Sequence, residues 1–233
     1  MIRTVGIVIP AANEEDSIGA CLSALTQARR HLRRVAAHDI DVRILVVLDS
    51  CTDRTASIVA LHDVERLTCV AGRVGAAREA GVERLLTDAG VRSSELWLAN
   101  TDADSTVPRE WLAGMLEEAD RGAHLVLGTV LPGPGLEHAT QRLWARCHHL
   151  RENHPHVHGA NFGIRADSYS ALGGWPPLSS GEDVALAQRA TRAAHLRVVR
   201  TASIPVWTST RVTGRAPRGF SSYLRGLTAT PSP

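Results

Sequence analysis

The chain has 233 residues, of which 44% are apolar and 21% charged. That size and balance suit one large globular domain, or a domain with an appendage, and exclude a disordered polyelectrolyte. A formal net charge of +2 implies no general attraction to nucleic acid, although every basic side chain is arginine and none is lysine. The all-arginine set reads as a coding bias that leaves many forked donors suited to phosphate. The four cysteines form no C-x-x-C pair, which argues against a zinc ribbon or a thioredoxin-like motif and fits a reducing cytoplasm. The first apolar run begins at Val5 without a charged leader and cleavage site. No run approaches the roughly 20 apolar residues of a membrane span, so a soluble, cytoplasmic protein with at most peripheral membrane contact is expected.

Val5 to Ile9 reads as a buried strand, followed by a loop at Pro10-Ala11-Ala12-Asn13. Glu14, Glu15 and Asp16 are expected in the first turn of the next helix, where acids suit the dipole. That helix carries Ile18, Cys21, Leu22 and Leu25 at helical spacing. Val42 to Leu48 is a second strand, ending in the cap-rich turn Asp49-Ser50-Cys51-Thr52-Asp53 before a helix through Ile58 and Leu61. Leu67 to Val70 is a short third strand, Gly72 to Leu86 a loop and helix, and Leu96 to Ala99 a fourth strand. Pro108 to Ala119 is a helix with Pro108 in its first turn. Strands alternating with helices imply a parallel sheet with crossover helices. After Gly122 the pattern changes. His124 to Val130 looks like a strand, Leu131 to Gly135 a Pro/Gly loop, and Leu136 to Arg151 a helix. Short strands, loops and one helix from Asp183 to Ala194 follow, and the stretch from Arg211 is rich in Arg, Gly and Ser.

The most informative stretch is Leu96-Trp97-Leu98-Ala99-Asn100-Thr101-Asp102-Ala103-Asp104. A buried strand ends in two acids, which aims both carboxylates into the crevice beyond the carboxyl edge of the sheet, where open α/β sheets bind ligands. Two hard oxygen donors suit Mg²⁺ or Mn²⁺, ions that also bind substrate phosphates. The competing account is a solvated Asp-rich turn capping the next helix.

Four segments line up in order: Val8-Ile9-Pro10-Ala11-Ala12-Asn13-Glu14-Glu15, Val46-Val47-Leu48-Asp49-Ser50-Cys51-Thr52-Asp53-Arg54-Thr55, Thr101-Asp102-Ala103-Asp104, and Gly173-Gly174-Trp175 followed by Gly181-Glu182-Asp183. Together they resemble the GT-A fold glycosyltransferases of family 2, from about Thr4 to Leu196. The resemblance implies a Rossmann-like, open, twisted, mostly parallel sheet flanked by helices, with a smaller mixed region on the acceptor side. It implies one domain over residues 1–210, with a nucleotide-sugar half at 1–121 and an acceptor half at 122–210, while the Arg/Gly/Ser-rich composition from Arg211 implies a flexible tail at 211–233. Its natural partners are a UDP- or GDP-sugar, a Mn²⁺ or Mg²⁺ ion and a hydroxyl acceptor.

By the same resemblance, Pro10, Ala11 and Asn13 line the nucleotide pocket and Asp49 accepts from the base. Arg78 lies near the nucleotide, in Gly75-Ala76-Ala77-Arg78, where the following residue is commonly Asn but here is Glu79. Asp102 faces the ribose or a metal water, Asp104 ligates the metal, and Asp183 is the catalytic base. Read physically, a carboxylate at a helix N-terminus stays ionised, as a general base near pH 7 must, and Glu182 orients Asp183 or caps the helix. Asp49 has the alternative of capping the helix near Thr52. Trp97 and Trp111 read as packing. Trp175 is a candidate to stack on a sugar or an apolar acceptor. Five histidines between His148 and His158 suggest zinc or an acceptor site, with His158 and Asn161 as acceptor-side candidates, or simply a polar loop. Arg211, Arg215 and Arg218 are candidates to close over a diphosphate.

Other classes fit less well. A nucleotidyltransferase commonly carries a Gly-rich first loop with Arg and Lys, whereas Pro10–Glu15 is acidic. A dinucleotide oxidoreductase needs G-x-G-x-x-G after the first strand. Processive polysaccharide synthases have Gln-x-x-Arg-Trp after the base region, whereas Gln141-Arg142-Leu143-Trp144 precedes Asp183. A retaining transferase similar to the glucosyl-phosphoglycerate synthases places a late His on the metal, and only His195 follows Asp183. A non-catalytic nucleotide-sugar-binding protein would keep Asp102 and Asp104 without a base.

Overall fold

The computed structural model describes residues 1–148, 150–178 and 180–211. The chain runs β1 (Thr4–Ala11), α1 (Ile18–Val35), β2 (Asp41–Asp49), α2 (Thr55–Val59), β3 (Glu65–Cys69), α3 (Val74–Asp88), β4 (Leu96–Asn100), β5 (Ser105–Thr106) and α4 (Trp111–Asp120). It continues through β6 (Leu125–Pro132), α5 (His138–Cys147), β7 (Phe162–Arg165), α6 (Ala166–Ala171), α7 (Glu182–Arg192) and β8 (Val198–Thr208).

One eight-stranded sheet has the order β3-β2-β1-β4-β7-β6-β8-β5. The first four strands are parallel. β7 runs antiparallel between β4 and β6, β8 is parallel to β6, and the short β5 closes the far edge antiparallel to β8. β1 and β4 are buried along their whole length and β2 along most of its length, because helices cover both faces of the sheet there, whereas β3 alternates between half-buried and exposed positions. Val5, Ile7 and Ile9 of β1 pack with Trp97 and Ala99 of β4 under α1 and α4. Val8, Leu45, Val47 and Leu98 face the other way, under α3, α6 and α7. Each fully buried Leu, Ile or Val contributes on the order of 1.5–3 kcal/mol. Trp97 and Trp111 are fully buried, as read from the sequence.

α1 buries Ile18, Cys21, Leu22, Leu25, Ala28 and Leu32, a single helical stripe, and closes with Arg33 and Arg34 at the negative end of its dipole. α3 approaches the sheet through Gly81, where a Cβ would lie 2.6 Å from Val8 Cγ1 and 2.8 Å from Val47 Cγ2.

Several sequence expectations are corrected. Glu14–Asp16 are not in the first turn of α1 but in a preceding turn, closed by the amides of Ser17 and Ile18 on Glu14 O. Pro108 likewise precedes α4, its carbonyl accepting from Trp111 N–H. The helix expected from Leu136 to Arg151 is shorter, His138–Cys147. β7 and the full length of β8 were not separable from loop by periodicity. The segment beyond Arg211, with Arg215 and Arg218, lies outside the described residues. No helix among the described residues is long and apolar enough to cross a membrane.

Candidate active site

The carboxyl ends of β1, β2 and β4 open onto a cavity of about 830 Å³. Pro10–Glu14, Asp49, Ser50 and Gly72–Val74 line one end, Asp102–Asp104 the floor, and Val130, Val157–Ala160, Ser180–Val184, Thr208, Ser209 and Arg211 the other side. Of the sequence candidates, Pro10, Ala11, Asn13, Asp49, Arg78, Asp102, Asp104, His158, Glu182, Asp183 and Arg211 meet there.

At the β1–β2 end, two side chains organise the loops. Asn13, in the left-handed region at φ 54°, accepts at Oδ1 from the amides of Thr52 (2.7 Å) and Asp53 (3.3 Å). Its carbonyl oxygen therefore fastens the first loop to the second. Asp49 Oδ1 accepts from the amides of Ala71 (2.8 Å) and Gly72 (3.2 Å), drawing the β3–α3 loop over the cavity. Asp49 does not cap α2; Asp53 Oδ1 instead accepts from Thr55 N–H at 2.9 Å.

On the floor, Asp102 Oδ1 accepts from Arg78 Nη2 at 2.5 Å. Asp104 is largely buried; burial, then the neighbouring charge of Asp102, pushes its carboxyl up to about 6. Its Oδ2 lies 3.0 Å from Arg211 Nη2, and its Oδ1 accepts from Thr208 Oγ1 at 3.4 Å. Arg211 also forks onto Glu14.

Arg78 joins the two halves of the site. Buried on α3, it donates through Nη1 to Glu182 and through Nη2 to Asp102, and its guanidinium carbon stands 5.4 Å from the centre of the Trp175 ring. Burial raises the Glu182 carboxyl, an effect that Arg78 partly offsets. A Cβ at Gly159 would lie 2.5 Å from Arg78 Nη2, so a side chain there would push the guanidinium from its place between Glu182 and Asp102. Gly159 N–H donates to Asp183 Oδ2 at 2.8 Å, which fixes that carboxylate at the cavity wall. Gly181, at φ 79°, makes the left-handed turn that starts α7 with Glu182 and Asp183 in its first turn. The departure at Glu79 also has a use. It accepts from Tyr169 Oη and from Trp175 N–H (2.9 Å), clamping the Gly173-Gly174 turn.

Two acceptor-side expectations are placed elsewhere. Trp175 is buried against Phe162 and Tyr169 and does not line the cavity. Asn161 is also fully buried. It donates through Nδ2 to Thr129 O (2.9 Å) and Ile204 O (2.8 Å) and accepts at Oδ1 from Trp111 Nε1 (2.9 Å). His148, His156 and His158 form a ladder of ring faces with Trp144, Trp144–His148 at 4.5 Å, His148–His156 at 4.7 Å and His156–His158 at 6.0 Å between centroids, and His149 lies outside the described residues. Stacked faces do not converge nitrogens on an ion. His158 ends the ladder at the cavity, and burial, then the neighbouring imidazoles, hold its ring down to about 3. Glu14 was missed as a cavity residue. Its place in the first segment does not tell where its carboxylate points, which is set by the turn before α1 and by Arg211.

Asp102 and Asp104 fit a hard divalent cation: two carboxylates at a strand end, each sharing its guanidinium with a second acid, Asp102 with Glu182 on Arg78 and Asp104 with Glu14 on Arg211. Among the described residues no group of three His, Cys, Asp or Glu side chains converges on one point. An ion there therefore needs ligands from a substrate and from water, as Mg²⁺ usually does.

A family model for glycosyl transferase family 2 matches residues 6–173. An uncharacterized glycosyltransferase of Mycobacterium tuberculosis is 31% identical over 132 residues, 57% of this chain and 51% of that protein. The chain thus spans about half the length of the curated relatives it matches. Among solved structures, Staphylococcus aureus TarS in complex with UDP superposes with a TM-score of 0.62 at 15% identity, covering 88% of this chain and 60% of that one. The Pyrobaculum calidifontis mannosyltransferase PcManGT, in complex with GDP-Man and Mn²⁺, gives 0.62 at 19% identity, covering 96% and 60%. Glucosyl-3-phosphoglycerate synthase of M. tuberculosis with Mn²⁺, UDP and phosphoglyceric acid gives 0.55 at 18%, covering 85% and 68%. At these identities the structures speak to fold alone, and that fold is the GT-A architecture.

Proposed function

The chain belongs to glycosyl transferase family 2, and on that footing we propose that it moves a sugar from a UDP- or GDP-linked donor to a hydroxyl acceptor with inversion at the anomeric carbon. The observation that carries this reading is the placement of Asp102, Asp104 and Asp183 on one cavity at the carboxyl edge of the sheet. The nucleotide lies at the β1–β2 end, over Pro10, Ala11 and Asn13, with Asp49 accepting from the base. Asp102 and Asp104 hold the cation, and Arg211 contributes charge toward the diphosphate. When bound, a divalent cation there acts as a Lewis acid that stabilises the departing nucleoside diphosphate. The complexes of TarS with UDP and of PcManGT with GDP-Man and Mn²⁺ support the same cargo.

The acceptor hydroxyl gives its proton to Asp183 as its oxygen bonds to the anomeric carbon. The bond from that carbon to the diphosphate oxygen breaks, and its electron pair leaves with the nucleoside diphosphate. Gly159 N–H holds Asp183, while Arg78 and Glu182 keep the metal end and the base end in register. The retaining alternative calls for a late histidine at the metal. His195 is exposed in the turn after α7 and is not a cavity residue, which favours inversion. The reading is tested with Asp183→Asn. Loss of a general base costs roughly 10²–10⁴-fold, so kcat should fall by that factor with donor affinity little changed, and the product NMR spectrum should show the anomeric configuration opposite to the donor. Retained configuration sinks the inverting assignment. Full activity in the variant removes Asp183 as the base. Donor binding without turnover in the parent chain makes it a binding protein.

A further inference from the structure

Glu14 stands in the first of the four segments, Val8–Glu15, and its buried carboxylate lines the cavity. Ser17 Oγ donates to Glu14 Oε2 at 2.8 Å, and Glu14 N–H donates to Thr55 Oγ1 at 2.7 Å. Ser17 thus holds the carboxylate from its own turn, and Thr55 at the start of α2 holds the backbone that carries it. Arg211 Nη1 and Nη2 donate to Oε2 and Oε1 at 2.7 and 2.6 Å, a forked pair of the strong, charge-assisted kind. The same Nη2 lies 3.0 Å from Asp104 Oδ2. One guanidinium thus neutralises two carboxylates, one of which is the proposed metal ligand. A divalent cation and a guanidinium repel each other if they share that oxygen.

We propose that Arg211 is a built-in counter-cation of the donor site, parked on Glu14, which covers Asp104 until a metal-bound diphosphate displaces it. Glu14 is the positioning residue of this device. Its rigid carboxylate keeps Arg211 within reach of the cavity after Asp104 is released, so the guanidinium can turn to the incoming phosphate oxygens. Mn²⁺ alone must compete with Arg211. Mn²⁺ arriving with a nucleoside diphosphate brings the anion that takes Arg211 away. The inference rests on the assignment of Asp104 to the metal under Proposed function.

The test is calorimetric titration of Mn²⁺ into the full chain, alone and with UDP or GDP. Arg211→Gln should bind Mn²⁺ alone at least fivefold more tightly than the parent, the lower end of ordinary site–site coupling. Arg121→Gln, the same loss of charge at an exposed arginine paired with Glu117 and Glu118 on α4, should bind as the parent does. Adding Glu14→Gln should weaken Mn²⁺ binding more in the Arg211→Gln background than in the parent, because only there has the carboxylate lost the Arg211 guanidinium and its negative charge is left to favour the cation. Equal or weaker Mn²⁺ affinity in Arg211→Gln, an equal gain in Arg121→Gln, or an equal Glu14→Gln effect in both backgrounds overturns the proposal, while Mn²⁺ binding with UDP or GDP leaves the donor reading standing. If the parent binds no Mn²⁺ even with UDP or GDP, the metal assignment falls and the proposal with it.

Discussion

Replacing Asn161 by alanine removes three hydrogen bonds from the centre of the molecule. The carbonyls of Thr129 and Ile204 lose their donor, and the Trp111 indole N–H loses its acceptor. Each such bond contributes about 1 kcal/mol net, and a buried group left without a partner costs about 1–3 kcal/mol. Asn161 is fully buried, so water compensates only if the structure opens. The loss should be about 3–5 kcal/mol, or roughly 10 °C in Tm for a chain of this length. Asn161→Asp should cost more, since a carboxylate can donate to neither carbonyl unless it takes up a proton. Urea unfolding followed by tryptophan fluorescence gives the free energy, and a titration with UDP or GDP well below the midpoint gives the affinity of the folded protein. The expected pattern is a large loss of stability with nucleotide affinity and acceptor KM little changed. A stability within about 1 kcal/mol of the parent, or a selective rise in acceptor KM at unchanged stability, would refute the structural role and return Asn161 to the acceptor site.

Three further outcomes follow from the same geometry. Asp49→Asn keeps an oxygen for the amides of Ala71 and Gly72 but loses the charge, so calorimetry should show nucleoside diphosphate binding weakened roughly 10–100-fold, as expected for a charged hydrogen bond, with Tm little moved; equal affinity would leave Asp49 a loop anchor. Asp104 has its pKa raised to about 6 from an ordinary 3.8, so the proton favours the folded, metal-free state; that stabilisation is complete below about 3.8 and lost as pH rises through about 6. A divalent cation must displace the proton, so the Mn²⁺-induced rise in Tm should be small at pH 5 and level off above pH 7; a rise that is the same at both pH values would contradict this. Gly81→Ala puts a methyl group 2.6 Å from Val8 and 2.8 Å from Val47, and overpacking of that kind costs about 1–3 kcal/mol; a neutral or stabilising effect in thermal unfolding would mean that α3 moves away from the sheet freely.

The parts of the fold written in local pattern were legible from the chain itself. β1, β2 and β4 are apolar on both faces because helices cover both, and that composition stands out against the polar turns between them. The Asp102-x-Asp104 pair follows one such strand, so its position at the carboxyl edge could be derived from strand direction alone. β7 could not. Four residues long, it joins the sheet only because β4 and β6 flank it on either side, and nothing in its own composition says so. The same holds for the side chains that organise the site. Arg78 reaches Glu182 across 104 positions, and Arg211 reaches Glu14 across 197. Trp175 and Asn161, which resemble ligand-facing residues when read in line, are turned into the core by the turn that Glu79 clamps and by the indole of Trp111. The local sequence determines which residue types stand at a strand end, because strand and turn preferences act within a few residues. Which charges meet there is decided by the order of strands in the sheet, since only that order brings distant loops within hydrogen-bonding distance.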